Sequence, residues 1–266
     1  MILLALNNGY CKANQYFISK KRKKKEIKFP ATFFYIQLPH AKILLDAGYS
    51  PQMLFDKNIC MKMYTKLMQV ECKKTTTEVL IENGIDPTKI DYIIVSHFHP
   101  DHIGGLNEFK KAKIICTEEA FYHLNKKRLL NVEKQVNKKY IPTDIGSRLI
   151  FMESFKKVYL KNLPIDFYNI LNMDQLYGFG LPGHSKGQLG ILIPDKNVLH
   201  ISDAAWCEDN FKHKVPPRKI TEFIVSDNPR EYRQSLDKIE LIKQHFENID
   251  IVFTHDKRFL DETYNF

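Results

Sequence analysis

The segment SHFHPDHIGGL, residues 96–106, constrains this chain more than any other stretch. It holds His97, His99, Asp101 and His102, whereas all 266 residues contain only 10 histidines. Imidazoles and carboxylates bind divalent metals when several of them converge. Four such groups packed so closely would crowd one another without a cation, so the segment predicts a metal site rather than a structural role.

The spacing within this segment suggests that it serves two ions. His97 and His99 are two residues apart, so their side chains share a face if the backbone is extended. Asp101 and His102 follow Pro100, where the chain must turn. One loop can therefore offer two ligands to one metal and two ligands to a neighbouring metal.

Two metals need further ligands, and the sequence offers three candidates. His184 lies in LPGHSKGQLG, Asp203 in VLHISDAAW and His255 in DIVFTHD. Each follows a predicted strand, as residues 96–106 follow the short apolar run YIIV. Functional side chains in α/β proteins are commonly carried on loops at strand ends, so all three are expected to join the cluster.

Composition indicates a globular protein, and the alternation of predicted strands and helices indicates a single α/β domain over residues 1–266. The chain is 44% hydrophobic and 27% charged, and we expect no membrane partner because no apolar run approaches the length of a spanning helix. The five scattered cysteines, without a CxxC motif, favour a reducing compartment, and the cytoplasm is the default expectation. The oligomeric state is left open.

The net charge of +9 is concentrated in the run KKRKKK at 20–25. Such a run can contact phosphates or anionic lipid. Because strand-like sequences flank it, we interpret it as a solvated hairpin tip, and a nucleic-acid partner is not expected.

Hydrophobic periodicity predicts most of the remaining elements. Helices are expected near 76–83, from 117 through a basic stretch to 139, and at 228–246, and residues 51–74 read as an irregular, Met-rich segment. The predicted strands lie at 2–7, 14–19, 32–38, 42–46, up to Ser96, 112–116, 149–151, 165–170, 176–181, 189–193, 198–201 and 250–255.

The HFHPDH motif with its Gly-Gly, followed in order by His184, Asp203 and His255, resembles the metallo-β-lactamase superfamily. Asp46 in ILLDAG matches a further short motif of that family. The resemblance spans residues 32–256 and is most similar to the subgroup containing acyl-homoserine lactonases. It implies a four-layer αββα sandwich, in which two mixed β-sheets pack face to face with helices outside.

The resemblance also implies roles for the cluster. His97, His99 and His184 would hold one metal, and Asp101, His102 and His255 the other. Asp203 would bridge both metals, and Asp46 would orient a ligand histidine. Zinc suits this ligand set, although ligand type alone also allows iron or manganese.

Hydrolysis follows from such a centre, because water shared by two divalent cations is hydroxide near neutral pH. A metal-bridging hydroxide would attack the substrate, while Asp101 would orient it and carry its proton to the leaving group. Two divalent metals facing two carboxylates and one hydroxide leave net positive charge, which suits a carbonyl becoming an oxyanion, or a phosphate.

Trp206, the only tryptophan, departs from the lactonase pattern. Those lactonases commonly place a tyrosine three positions after the bridging aspartate, where its hydroxyl contacts the substrate carbonyl. An indole N–H also donates, but from another place and on a bulkier ring. Trp206 could line the substrate site or simply pack in the core.

Three functions remain open on this basis. The favoured one is a dinuclear hydrolase acting on a lactone, thioester or ester. The alternative is a phosphodiesterase or nuclease, but aromatic residues are not interleaved with the basic run as a stacking surface needs. A non-enzymatic metal-bound sensor is disfavoured, because a simple binder does not need the complete ligand set.

Overall fold

The computed structural model describes residues 1–19, 21–125, 138–212 and 226–266. Lys20 and most of the predicted helical stretch beyond residue 125 lie outside these ranges. The strands in chain order are β1 (Ile2–Asn14), β2 (Glu26–Gln37), β3 (Lys42–Leu45), β4 (Glu71–Cys72), β5 (Tyr92–Ile94), β6 (Lys113–Cys116), β7 (Leu149–Phe151), β8 (Lys157–Val158), β9 (Phe167–Asn169), β10 (Tyr177–Gly180), β11 (Leu189–Ile193), β12 (Val198–His200), β13 (Asp250–Val252) and β14 (Tyr264–Asn265).

The α-helices among these residues are mostly short. They are α1 (Gln15–Ile18), α2 (Ile59–Leu67), α3 (Thr76–Glu82), α4 (Pro100–Ile103), α5 (Glu118–Asn125), α6 (Ile145–Arg148), α7 (Glu208–Lys212) and α8 (Pro229–His245). No helix in the described ranges combines the length and apolar character needed to cross a bilayer.

The strands form two mixed sheets. The first has the order β14-β1-β2-β3-β5-β6-β7, with β4 paired to β1, and its β3-β5-β6-β7 half is parallel. The second has the order β13-β12-β11-β10-β9-β8 and is antiparallel except for the β12–β13 pair.

Alternating side chains place these sheets face to face. Ile43 and Leu45 of β3 share a buried cluster with Leu189 and Ile191 of β11, whereas Leu44 points to the opposite side of its sheet. On the outer side of the second sheet, residues of α8 pack over the strands. Because a strand presents alternate residues to opposite faces, this arrangement gives helix, sheet, sheet and helix layers. The predicted αββα fold is confirmed.

Local capping explains where several predictions hold and where one fails. The predicted helix at 76–83 is confirmed as α3. A capping box formed by Thr75 and Glu78 stabilises its first turn. The predicted strand at 14–19 is wrong, because the Asn14 side chain accepts a hydrogen bond from the Tyr16 amide and starts a helical turn.

The Met-rich segment is likewise more ordered than expected. Residues 59–67 form α2, whose first amides donate to the side chain of Asn58. Met53 and Met61 of this segment are fully buried, whereas Met63 is 56% exposed.

Candidate metal centre

The motif at 96–106 lies beyond the C-terminal end of β5, as predicted. His97 and His99 occupy the loop, and Pro100 begins the short helix α4, which carries Asp101 and His102. Proline suits this first helical position because its fixed φ matches the helix and its missing N–H is not needed. His97 and His102 are completely buried, and Asp101 is nearly so.

Gly104 lets this loop lie directly against the chain that follows β3. Its amide donates to the carbonyl of Gly48, and a Cβ at this position would lie only 2.4 Å from the Ser50 nitrogen. Any side chain would therefore push the loop away. The adjacent amide of Ala47 donates to the carbonyl of His102 over 2.7 Å, which fixes the helix carrying two of the candidate ligands.

The second sheet brings the three remaining candidates to the same place. His184 follows β10, Asp203 follows β12 and His255 follows β13, and all three are buried. Gly183, at φ +126°, presses the His184 loop against α8, where a Cβ would meet the Tyr232 backbone. The strand-end placement predicted for these three residues is therefore observed.

One group of side chains consists only of histidines. His97, His99 and His184 offer ring nitrogens that all lie within 4.8 Å of one another. His184 Nε2 lies 2.9 Å from His99 Nδ1. This is the trio predicted for one metal.

The second group centres on Asp203. Its Oδ2 lies 3.1 Å from His255 Nε2 and 3.5 Å from His184 Nε2, while its Oδ1 lies 3.6 Å from His102 Nε2. Asp101 Oδ2 lies 3.6 Å from His255 Nε2 and 3.7 Å from His102 Nε2. Asp203 thus faces ligand atoms of both predicted trios.

Two hydrogen bonds orient the histidines of this group. Asp46 Oδ2 accepts from His102 Nδ1 over 2.8 Å, and the Pro30 carbonyl accepts from His255 Nδ1 over 2.8 Å. Each bond places a proton on Nδ1 and directs Nε2 at the cluster, so Nε2 is the nitrogen that would bind a metal. Asp46 therefore lies where the sequence predicted an orienting partner.

The cluster fits a divalent metal. His97 Nε2, His102 Nε2 and Asp203 Oδ1 are buried and have no hydrogen-bond partner within the described part of the chain. Such orphaned polar atoms are costly in a folded protein. Zinc binds nitrogen and oxygen at about 2.0–2.2 Å, so two tetrahedral ligands lie about 3.4 Å apart. The separations of Asp203 from His184 and His102, 3.5 and 3.6 Å, match that requirement and are too long for most hydrogen bonds, whereas His255 lies at hydrogen-bond distance, 3.1 Å.

Burial and neighbouring charges lower the pKa of one candidate histidine and raise the pKa of two others. Burial and repulsion from His102, His99 and His184 hold the pKa of His97 well below its usual value. Burial opposes the charged form of His255, but Asp203 and Asp101 outweigh it and raise its pKa to about 9. The carboxylates around His102 act in the same direction, so without metal these two histidines bind protons where a cation fits.

Trp206 borders the cluster and also joins the core. Its ring lies 5.5 Å from that of His184 in an edge-to-face arrangement, and it packs against the cluster beneath the first sheet. Its indole Nε1 is buried without a hydrogen-bond partner among the described residues. Both roles considered from the sequence are therefore compatible with its position.

Four residues near the cluster carried no sequence signal that we used. The Ser96 hydroxyl donates to Asp46 Oδ2 and accepts from the Ser202 hydroxyl, each over 2.8 Å, which links the two sheets beside His97. The hydroxyls of Tyr49 and Tyr64 lie 3.1 Å apart. From the sequence, Ser96 and Ser202 could have been singled out only because each immediately precedes a candidate metal ligand.

The family of the chain follows from comparison with known proteins. A model of the metallo-β-lactamase superfamily matches residues 28–246. This chain belongs to that superfamily. The N-acyl homoserine lactonase AttM of Rhizobium radiobacter is similar to it, with 22% identity over 200 residues, which cover 72% of this chain and 71% of the relative.

Solved structures of the superfamily share the fold. An N-acyl homoserine lactone hydrolase, with the product N-hexanoyl-L-homoserine at its catalytic metal center, superposes with a TM-score of 0.70 at 19% identity, covering 97% of this chain and 94% of that chain. The dizinc quorum-quenching lactonase AidC gives 0.65 at 16% identity, covering 95% and 86%. This metallo-β-lactamase superfamily hydrolase thus combines the family fold with a cluster of groups able to hold metal.

Proposed function

We propose that this chain is a dinuclear metal-dependent hydrolase that acts on a small carbonyl substrate, a lactone, thioester or ester. The observation that carries the proposal is the position of Asp203. Its two oxygens face His102 on one side and His184 and His255 on the other. A mononuclear site would not require one carboxylate to face two sets of ligands.

The ligand assignment follows that geometry. His97, His99 and His184 would hold one ion, Asp101, His102 and His255 the other, and Asp203 both. Zinc suits the nitrogen-rich trio, and iron or manganese also accept these ligands. When bound, the two ions supply an activated water near neutral pH and stabilise negative charge on the substrate oxygen.

Asp101 is the proposed catalytic residue. It is 6% exposed, and its Oδ2 lies between His102 Nε2 and His255 Nε2. From there it can orient the attacking water and carry its proton to the leaving oxygen, as a general acid–base group must. The alkoxide released from a lactone or ester needs that proton, whereas the thiolate released from a thioester needs it less.

Trp206 is the proposed substrate contact. Its ring forms a wall beside His184, and its Nε1–H, which has no hydrogen-bond partner among the described residues, is the donor proposed for a substrate carbonyl. Trp206 stands where the lactonase pattern has tyrosine, so a substrate other than an acyl-homoserine lactone is expected to suit it better. The similar proteins are N-acyl homoserine lactonases, whose substrates carry a carbonyl group. This similarity favours a carbonyl substrate over a phosphodiester.

A substrate panel tests the proposal. Metal-reconstituted protein is assayed with aliphatic lactones, acyl-homoserine lactones, thioesters, aryl esters and bis-p-nitrophenyl phosphate, and its metal content is measured. Carbonyl hydrolysis with two metals per chain supports the proposal. Turnover of the phosphodiester alone would favour the alternative, a nuclease or phosphodiesterase, and a stoichiometry of one would remove the dinuclear model.

A further inference from the structure

Helix α2 exposes an apolar stripe along its whole length. Ile59, Met63 and Leu67, spaced four residues apart, are 71%, 56% and 73% exposed. At 3.6 residues per turn they occupy an arc of about 80°. Met61 on the opposite side is fully buried. Phe55, just before the helix, is 83% exposed and extends this apolar surface.

Lysines border the stripe. Lys62 and Lys66 lie on the helix directly beside the apolar arc, Lys57 precedes the helix, and all three are exposed. Residues 57–70 contain these three lysines and no acidic residue. Asp56, which directly precedes this segment, is buried and accepts hydrogen bonds from Tyr140 and Lys139. The apolar arc is therefore accompanied by positive charge that the segment itself does not neutralise.

The basic hairpin tip lies beside the same helix. The Lys12 amide of β1 donates to the Met68 carbonyl over 2.9 Å, and the Gln69 side chain donates to Glu26 at the start of β2. β1 and β2 lead to the tip, where Phe17 is 46% exposed. The tip also presents the exposed side chains of Lys21, Lys23, Lys24 and Lys25.

Several charged side chains near the helix and the hairpin tip already pair with other side chains of the protein. Arg22 pairs with Asp209 over 2.8 Å, and Glu71 pairs with Lys12 over 2.6 Å. Glu26 receives the amide of Gln69. The free charge that remains on the helix and the tip is dominated by lysine.

We propose that this surface, composed of Phe55, α2 and the hairpin tip 21–25, docks onto an anionic lipid bilayer. An amphipathic helix with lysines at its flank binds a membrane by inserting its apolar arc at the acyl boundary while the lysine heads reach the phosphates. Juxtaposed basic residues add electrostatic attraction to the anionic surface. A row of exposed apolar side chains on one helix face, bordered by lysines, is typical of an interaction site.

The charges argue against the competing occupant, a second copy of this chain. A two-fold pairing through α2 would place the same surface on both sides of the contact. Lys62 and Lys66 of one copy would then face lysines of the other, and like charges in an interface are unfavourable. An anionic surface has the opposite sign, which the lysine flank complements.

This inference departs from the sequence-based expectation of no membrane partner. That expectation rested on the absence of an apolar run long enough to span a bilayer. A helix that lies in the interface needs only one apolar face, and a nine-residue helix presents one.

Docking would bring the metal centre close to the lipid. The inner face of α2 carries Tyr64, whose hydroxyl lies 3.1 Å from that of Tyr49. Tyr49 in turn follows Gly48, whose carbonyl accepts from the amide of Gly104 directly after the helix that carries Asp101. One short helix therefore separates the proposed lipid surface from the candidate catalytic carboxylate.

Vesicle co-sedimentation of the full chain tests the inference without any turnover, so its result is independent of the proposed hydrolase activity. We expect binding to vesicles of equal parts phosphatidylglycerol and phosphatidylcholine and at least about tenfold weaker binding to phosphatidylcholine alone. The combined substitutions Phe55→Ser, Ile59→Ser and Leu67→Ser should reduce binding about tenfold or more. Lys57→Gln, Lys62→Gln and Lys66→Gln together should act similarly.

Matched controls alter the same chemistry elsewhere on the surface. Ile81→Ser with Tyr159→Ser removes side chains that are 62% and 66% exposed, and Lys110→Gln, Lys111→Gln and Lys113→Gln remove the same charge. Both controls should bind vesicles like the parent chain, and circular dichroism checks that every variant folds. Absence of binding to anionic vesicles, or equal loss in the controls, overturns the inference. A lipid-free dimer that the serine variant abolishes would assign the surface to a second copy instead.

Discussion

His102 Nδ1 donates a hydrogen bond to Asp46 Oδ2 over 2.8 Å, and both side chains are buried from solvent. Asp46 in turn accepts from the amide and hydroxyl of Ser96, so its carboxylate is held by three donors. The aspartate thereby fixes the tautomer in which His102 Nε2 faces Asp203 and Asp101. This pair is the most direct link between the loop after β3 and the candidate metal centre.

Replacing Asp46 should weaken metal binding without removing a ligand. Asparagine is the matched substitution, since it tolerates the positive φ of 63° at this position. Loss of the negative charge frees the His102 tautomer, and we expect Asp46→Asn to lower metal affinity by about 10–100-fold. Competition against a chromogenic chelator measures this change, and an unaltered affinity would contradict the orienting role.

His99→Ala should abolish hydrolysis and leave the fold intact. His99 is only partly buried, so its removal creates little cavity, but it takes one nitrogen from the trio with His97 and His184. Metal content per chain should fall together with activity. His40→Ala, which removes an exposed histidine outside the cluster, is the control and should behave like the parent. Activity retained by His99→Ala would remove this residue from the mechanism.

Metal affinity should rise with pH up to about 9. The carboxylate of Asp203 raises the pKa of His255 to about 9 in the metal-free site, so its Nε2 carries a proton at neutral pH. A cation must displace that proton, and binding becomes easier as the histidine deprotonates. Calorimetric titration of metal-free protein in two buffers of different ionisation enthalpy counts the released protons. Release of none at pH 7 would refute this account.

Trp206 should influence turnover more than metal loading. Trp206→Phe keeps an aromatic wall but removes the Nε1 donor, and we expect kcat/KM to fall about tenfold, the value of one lost hydrogen bond of about 1.4 kcal/mol. Trp206→Tyr restores a donor and should favour acyl-homoserine lactones relative to other substrates. Metal content should stay unchanged in both. Unaltered kinetics in both variants would show that the residue serves packing alone.

His200 should make the protein sensitive to acid. It is 1% exposed, neither ring nitrogen has a partner within the described residues, and burial lowers its pKa to about 4. Between about pH 6.5 and 4 the unfolded chain binds a proton that the folded chain does not, so stability falls as pH falls through this window. The full loss is about 3 kcal/mol.

His200→Leu tests that assignment. Leucine fills a similar apolar space against Phe34 and cannot be protonated, so the free energy of unfolding at pH 7 should change little. Urea denaturation of both proteins from pH 7 to pH 4 measures the difference. The parent should lose more stability than the variant across this range, and parallel curves would place the acid sensitivity elsewhere.

Much of the candidate site could be predicted because its signals are local. The spacing of His97, His99, Asp101 and His102 can be read from six consecutive residues. His184, Asp203 and His255 each follow a short apolar run, and strand ends meet at one edge of a layered fold. Their division into two groups was implied by the resemblance to the superfamily, but the distances between them required the structure, since sequence spacing does not fix side-chain distances across two sheets.

Other features could not be predicted, because they leave no recognisable pattern in the sequence. Helix α2 carries apolar residues on its buried side, such as Met61, and on its exposed side, at Ile59, Met63 and Leu67, so its sequence lacks the one-sided pattern that reveals a packed surface helix. The turn at 15–18 depends on one cap from Asn14, which a strand-like composition conceals. Ser96 and Ser202 are common small residues, and their hydroxyl contact appears only when the two sheets meet.

The division of the ligands between the sheets links metal capture to completion of the fold. A chain emerging from the ribosome has His97, His99, Asp101 and His102 long before His255, which follows β13. Neither sheet alone presents both groups, so an early ion has only part of its coordination shell and can exchange freely. If the proposed ligands hold the metal, tight retention would therefore report that both sheets have paired.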